Sequence, residues 1–141
     1  MIRRLFLLTI AGALAAAAAT DAQQQVFDLF TKIAAGLSDD DPAIFVEAID
    51  PNMPRFRDLR AELTALAGEA NLTNSIEVMS DTGDDTHRDE EVDWLLEIVS
   101  KSDSHTVERR HKALKFRLER KGKKWKIVGL DPLDFFVPPT A

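Results

Sequence analysis

The residues of this sequence with chemical potential gather between His87 and Trp125, and the chemistry open to them is narrow. There is no cysteine, and no serine stands in a nucleophile-elbow or Ser-x-x-Lys setting. Glycine-rich phosphate loops are absent too. Acid–base work or plain binding remains. For acid–base work the candidates are Asp93 and His111, with Arg110 to steady developing negative charge. For binding, Trp94, Glu108, Arg110 and Phe116 form a set: two ionic groups for a polar head, two rings for an apolar body. No cofactor is expected, and no metal. His105 and His111 stand six residues apart on one strand, roughly 20 Å. His87 begins the neighbouring strand and could approach only one of them, so the ligand set stays incomplete. The acids of Asp81-Thr82-Gly83-Asp84-Asp85 lack the spacing and closing glutamate of a calcium loop.

The elements that must position these residues are strands. Val92, Trp94, Leu96 and Ile98 recur at every second residue, as do Leu114, Phe116 and Leu118, then Trp125 and Ile127. Such alternation marks half-buried antiparallel strands. The spacing predicts four: about Leu72–Ser80, Thr86–Ser100, His105–Arg120 and Trp125–Leu130. Asp81–Asp85, Lys101–Ser104 and Lys121-Gly122-Lys123 are the turns.

Helical periodicity precedes them. Asp21–Gln25 reads as a cap and first turn for Val26, Phe27, Phe30, Ile33, Ala34 and Leu37. Asp39-Asp40-Asp41-Pro42 reads as the capped start of a short second helix. Phe56, Leu59, Leu63 and Leu66 stripe a third, with Gly68 to Asn71 as its exit. Phe135 and Phe136, in a proline-flanked tail, are expected to fold back over an open sheet edge.

The third strand carries an ambiguity that decides the site. Stepping back by twos from Leu114 brings Lys112, Arg110, Glu108 and Thr106 onto the inner face, with Glu108 and Arg110 at the mouth of a concave sheet. Residues two apart on a curling face diverge, so the two should pair only weakly. A bulge near Lys112 would instead turn Val107 inward and Arg110 out. Ten of the 18 Lys and Arg residues fall between Arg109 and Lys126. Alternation puts Lys115, Arg117 and Lys126 on the outer face, which reads as a solvated face.

With 141 residues, 45% of them apolar, the chain suits one domain. Its start has the order of a secretory leader: Arg3 and Arg4, an apolar run Leu5–Leu14, then small residues with Ala17 and Ala19 at an Ala-x-Ala site. Cleavage is expected after Ala19, leaving 20–141 as the domain. The product would be periplasmic or secreted, with no lipid-bearing cysteine and no membrane attachment after cleavage. The net charge of −6 is made more negative by loss of the two arginines, and it argues against nucleic acid as partner.

Three helices followed by a four-strand meander resemble the nuclear transport factor 2-like superfamily. Leu118-Glu119-Arg120, the turn with Gly122, Trp125-Lys126-Ile127 and the trailing Pro132 and Phe136 are similar to its closing signature. The resemblance implies an α+β cone: three N-terminal helices on a strongly curved four-stranded antiparallel sheet, a pocket between them, and a homodimer through the sheet's outer face. It also implies ketosteroid isomerase-like and polyketide cyclase-like relatives beside non-catalytic modules, while the acidic, alanine-leading precursor looks bacterial. This chain departs from the enzymes, having no tyrosine and no Asp or His in a matching catalytic motif. The short connector Asp50–Pro54 also leaves little room for the small hairpin usual after the second helix. The expected function is therefore an exported, non-catalytic module that binds a small apolar or amphipathic ligand or a protein. The alternative is a cofactor-free isomerase, dehydratase or cyclase.

Overall fold

A computed structural model describes residues 10–103 and 105–139 of the chain. Three helices come first: α1 (Ile10–Ser38), α2 (Ala43–Ala48) and α3 (Phe56–Glu69). Four strands follow: β1 (Ala70–Gly83), β2 (His87–Ser100), β3 (Val107–Lys121) and β4 (Lys124–Asp131). They form one antiparallel sheet in the order β1-β2-β3-β4, and a single turn of 3-10 helix, Leu133–Phe136, ends the fold.

The helix boundaries depart from expectation in two informative places. Asp21 is no cap, because α1 already runs from Ile10 through the alanine-rich segment. Alanine has the highest helix propensity, so nothing local stops the helix there. The expected cleavage site at Ala19 falls inside this helix, while the first nine residues of the expected leader lie outside the described residues. Among the described residues no helix is long and apolar enough to cross a membrane.

The acidic triplet closes α1 and does not open α2. Asp40 takes the left-handed conformation at φ 63°. Asp41 N–H bonds Gly36 C=O at 2.8 Å and Asp40 N–H points to Leu37 C=O at 3.4 Å, the paired bonds of a Schellman ending. α2 then starts at Ala43, with Pro42 at the N-cap position and no side-chain cap bond. Gly36 is needed here, since a Cβ would meet Ile44 at 3.0 Å. α3 ends at Glu69, within the expected exit Gly68 to Asn71. The helix end is held from afar by Lys101, whose N–H bonds Glu69 C=O at 2.9 Å and whose ammonium bonds Ala67 C=O at 2.9 Å.

The alternation of the sequence is the alternation of the sheet. Val92, Trp94, Leu96, Ile98, Leu114, Phe116, Leu118, Trp125 and Ile127 are all buried beneath α1 and α3. The β2–β3 ladder runs without a register shift, pairing Leu114 with Val92, Lys112 with Trp94 and Arg110 with Leu96. No bulge resets the phase, so Arg110 is on the inner face and Val107 is exposed. The irregularities are confined to the outer pairs, between Val78 and Ser80 and between Arg117 and Leu118. Bulges are what bend a sheet sharply. Without one in the central pair the sheet is not strongly curled, which corrects the expected cone. The connector after α2 holds no hairpin; Ile49 makes one parallel bridge to Ile127, and α3 follows.

The tail goes deeper than an edge cover. Phe136 is fully buried and meets Phe45 and Trp94 edge-on at centroid distances of 5.2 and 5.4 Å.

Candidate functional site

The space expected to be a pocket is filled by rings. Phe45 stacks on Trp94 at 6.2 Å, Trp94 lies 6.1 Å from Phe116, and Phe30 meets Phe116 edge-on at 4.8 Å. Trp94 is wholly buried and its indole N–H donates to Asn74 Oδ1 at 2.9 Å. A buried Trp with its donor satisfied is core. Trp94 and Phe116 therefore sit beneath any ligand surface near Arg110 and do not wall it.

Glu108 and Arg110 are brought together. Arg110 Nε donates to Glu108 Oε2 at 2.5 Å, and Nη1 donates to Phe135 C=O at 2.6 Å. The expected weak pairing is corrected: with no strong curl the two side chains do not diverge. The arginine fastens the tail to β3. Beside it an open groove of about 490 Å³ runs between β3 and the tail, bounded by Lys112, Asp134 and Pro139 among others. Among the described residues Nη2 of Arg110 makes no hydrogen bond, the bonds to Glu108 and Phe135 using Nε and Nη1.

Asp93 and His111 also meet, but outside. Their side chains are hydrogen-bonded at 2.7 Å across β2 and β3 on the outer face, where His111 is 61% and Asp93 35% exposed. The same face carries Arg109–Glu97 at 2.9 Å and Arg117–Asp89 at 3.6 Å. The basic row of β3 thus stands against an acidic row of β2. Among the described residues no three His, Cys, Asp or Glu side chains gather as a metal site.

Two places escaped the sequence reading. The first is a groove of about 400 Å³ between α1, α2 and the β3–β4 hairpin. Leu29, Ile44, Ala48 and Trp125 give it apolar walls, and Lys32, Lys123, Lys124 and Lys126 stand around it, outnumbering the acids Asp28 and Glu47. Trp125 is nearly buried; its indole donates to Gln25 Oε1 at 2.9 Å and Arg120 lies over its ring at 5.7 Å. Lys126 is tied to Glu47 C=O. Only the folded arrangement brings Lys32, from α1, beside lysines nearly a hundred residues later.

The second is a charged cluster inside the sheet. Counting back by twos from Val92 gives Glu90 and Arg88, and both are buried. Arg88 bonds Asp81 Oδ1 through Nε at 2.8 Å and Nη2 at 2.6 Å. Burial, then the hydrogen bond and charge of Asp81, push the Glu90 carboxyl up to about 9. Asp81 is held below its ordinary value by hydrogen bonds from Glu90 and Arg88 and by the guanidinium charge, against the opposing effect of burial. The two carboxyl groups share one proton. The period-two count that located Arg110 would have found this pair on β2.

No protein-family model matches the chain, and no characterised protein matches its sequence. Solved structures do match in shape. A conserved protein from Planctomyces limnophilus superposes with a TM-score of 0.70 at 7% identity, covering 77% of this chain and 92% of the other. A nuclear transport factor 2-like superfamily protein from Salmonella enterica gives 0.65 at 12% identity, covering 80% and 90%. A protein with a cystatin-like fold from Caulobacter vibrioides gives 0.60 at 14% identity, covering 78% and 87%.

Proposed function

We propose, from a nuclear transport factor 2-like fold whose interior is packed shut, that this protein is an exported, non-catalytic module for a small amphipathic anion. The observation that carries the reading is the groove between α1, α2 and β4: apolar walls, four lysines, and a tryptophan edge in a protein whose net charge is negative. An acyl or aryl body would lie against Leu29, Ile44 and Trp125 while its carboxylate or sulfate head met Lys32 or Lys124. Lysine suits this task as a mobile point charge that can follow a head group. Catalysis finds less support. A base must reach a ligand proton, and Asp93 and His111 are paired with each other on the outer face.

The groove of Arg110 is a second place for a carboxylate, supported by the uncommitted Nη2, although its expected aromatic walls are core. Titration of decanoate and of decanol, followed by Trp fluorescence, tests the main reading. Decanoate should bind more tightly, and Lys32→Glu with Lys124→Glu should weaken it about tenfold or more. Equal affinity for the alcohol and the carboxylate would remove the lysines from the site.

A further inference from the structure

We propose that the crevice between α1 and the far end of β1 and β2 is a separate site for an alkylammonium group, received by the carboxylate of Glu90. Glu90 is 5% exposed, and its Oε2 is buried with no hydrogen-bond partner. A buried acceptor left without a donor is costly and rare in native structures. The nearest cation is Arg88, whose Nε is 3.7 Å from that oxygen and already bonded to Asp81. A crevice of about 240 Å³ opens over the same carboxyl, walled by Gln23, Gln24 and Phe27 of α1 and Val78 of β1. Phe27 is half exposed on the solvent side of α1, and the bulged Met79 beside Val78 is exposed too.

The charges select the ligand. The groups facing Glu90 are Asp81 from β1, Arg88 from its own strand, and the neutral Gln23 from α1. One guanidinium balances one of two carboxylates. Left alone, the pair keeps one proton, and Glu90 holds it because burial and Asp81 disfavour its charge. An ammonium supplies the second cation. Its N–H donates to the ionised Glu90, the proton formerly on Glu90 leaves to solvent, and the ligand's apolar body covers Phe27 and Val78. A carboxylate or phosphate would set further negative charge beside Asp81, whose charge Arg88 already balances, and is excluded. Binding is therefore coupled to release of one proton.

Calorimetric titration of the protein with hexylammonium chloride, at neutral pH in two buffers of unlike ionisation enthalpy, tests this. Binding heat should differ between the buffers by an amount matching about one proton released per ammonium bound. Hexanol, the neutral isostere, should bind more weakly and release none. Glu90→Gln should weaken hexylammonium by about tenfold and abolish the buffer dependence. The wild-type measurement does not depend on how the variant folds. No binding heat up to about 10 mM, a heat independent of buffer, or unchanged affinity in a folded Glu90→Gln protein would each overturn the proposal.

Discussion

Single residues here do work that their types alone do not announce. Glu90 keeps a proton in the folded chain up to about pH 9, whereas its ordinary value is 4.5. Between those values the unfolded chain has lost the proton that the folded chain retains, so stability falls as pH rises across the window. Glu90→Gln cannot ionise and can still donate to Asp81. Its melting temperature should change little from about pH 6 to about pH 9 while wild type declines. Parallel declines would show that Glu90 titrates normally. Arg110 makes the opposite point. It stood out as a ligand-binding residue, and it serves as the clasp between Glu108 and Phe135 C=O. Arg110→Ala should cost about 1–3 kcal/mol and speed amide exchange at Val137; unchanged exchange would contradict the clasp. The inward phase of both residues was readable from alternation. Their partners were not, because Phe135 is 25 residues from Arg110 and Asp81 reaches Glu90 from another strand.

Elements were legible where their periodicity was long and obscure where the answer lay in tertiary contact. The four strands follow from period two over eight to fifteen residues each. The acidic triplet was misread because a cap for the next helix and an ending for the previous one use the same residue types; backbone bonds to Gly36 and Leu37 decide it. The tail was underestimated for a different reason. Two phenylalanines among prolines carry no periodic signal, yet Phe136 touches Phe45, Trp94 and Phe135. Phe136→Ala should cost about 3–5 kcal/mol, as should Trp125→Ala. Either loss approaches the stability of a domain this size. Thermal unfolding checks both, and a variant melting within a few degrees of wild type would place that ring outside the core.

At the scale of the molecule, the resemblance read from the closing residues led to the fold, and the solved structures share it. What it implied about an open cone did not carry over, because five aromatic rings occupy that space. Export remains a proposal resting on the order of charged, apolar and small residues at the start. N-terminal sequencing of exported protein should begin within a few residues of Thr20; recovery of the full-length chain solely in the membrane would contradict it. The outer sheet face, with exposed Leu95 and Val107 among its charge rows, is the surface we propose for a second copy. Leu95→Glu should then abolish a dimer seen by light scattering, and a monomeric wild type would remove that proposal.

Amphipathic anions are proposed to meet this protein at the lysine-lined groove and not inside the fold, and its two tryptophans report the difference. Trp125 N–H bonds Gln25 at the groove, whereas Trp94 N–H bonds Asn74 in the core. An amide-correlation NMR spectrum holds one indole signal for each. On titration with decanoate, the Trp125 signal should move to saturation while the Trp94 signal stays in place. Movement of Trp94 with Trp125 unmoved would mean that the interior opens to take the ligand, and would contradict binding at the groove.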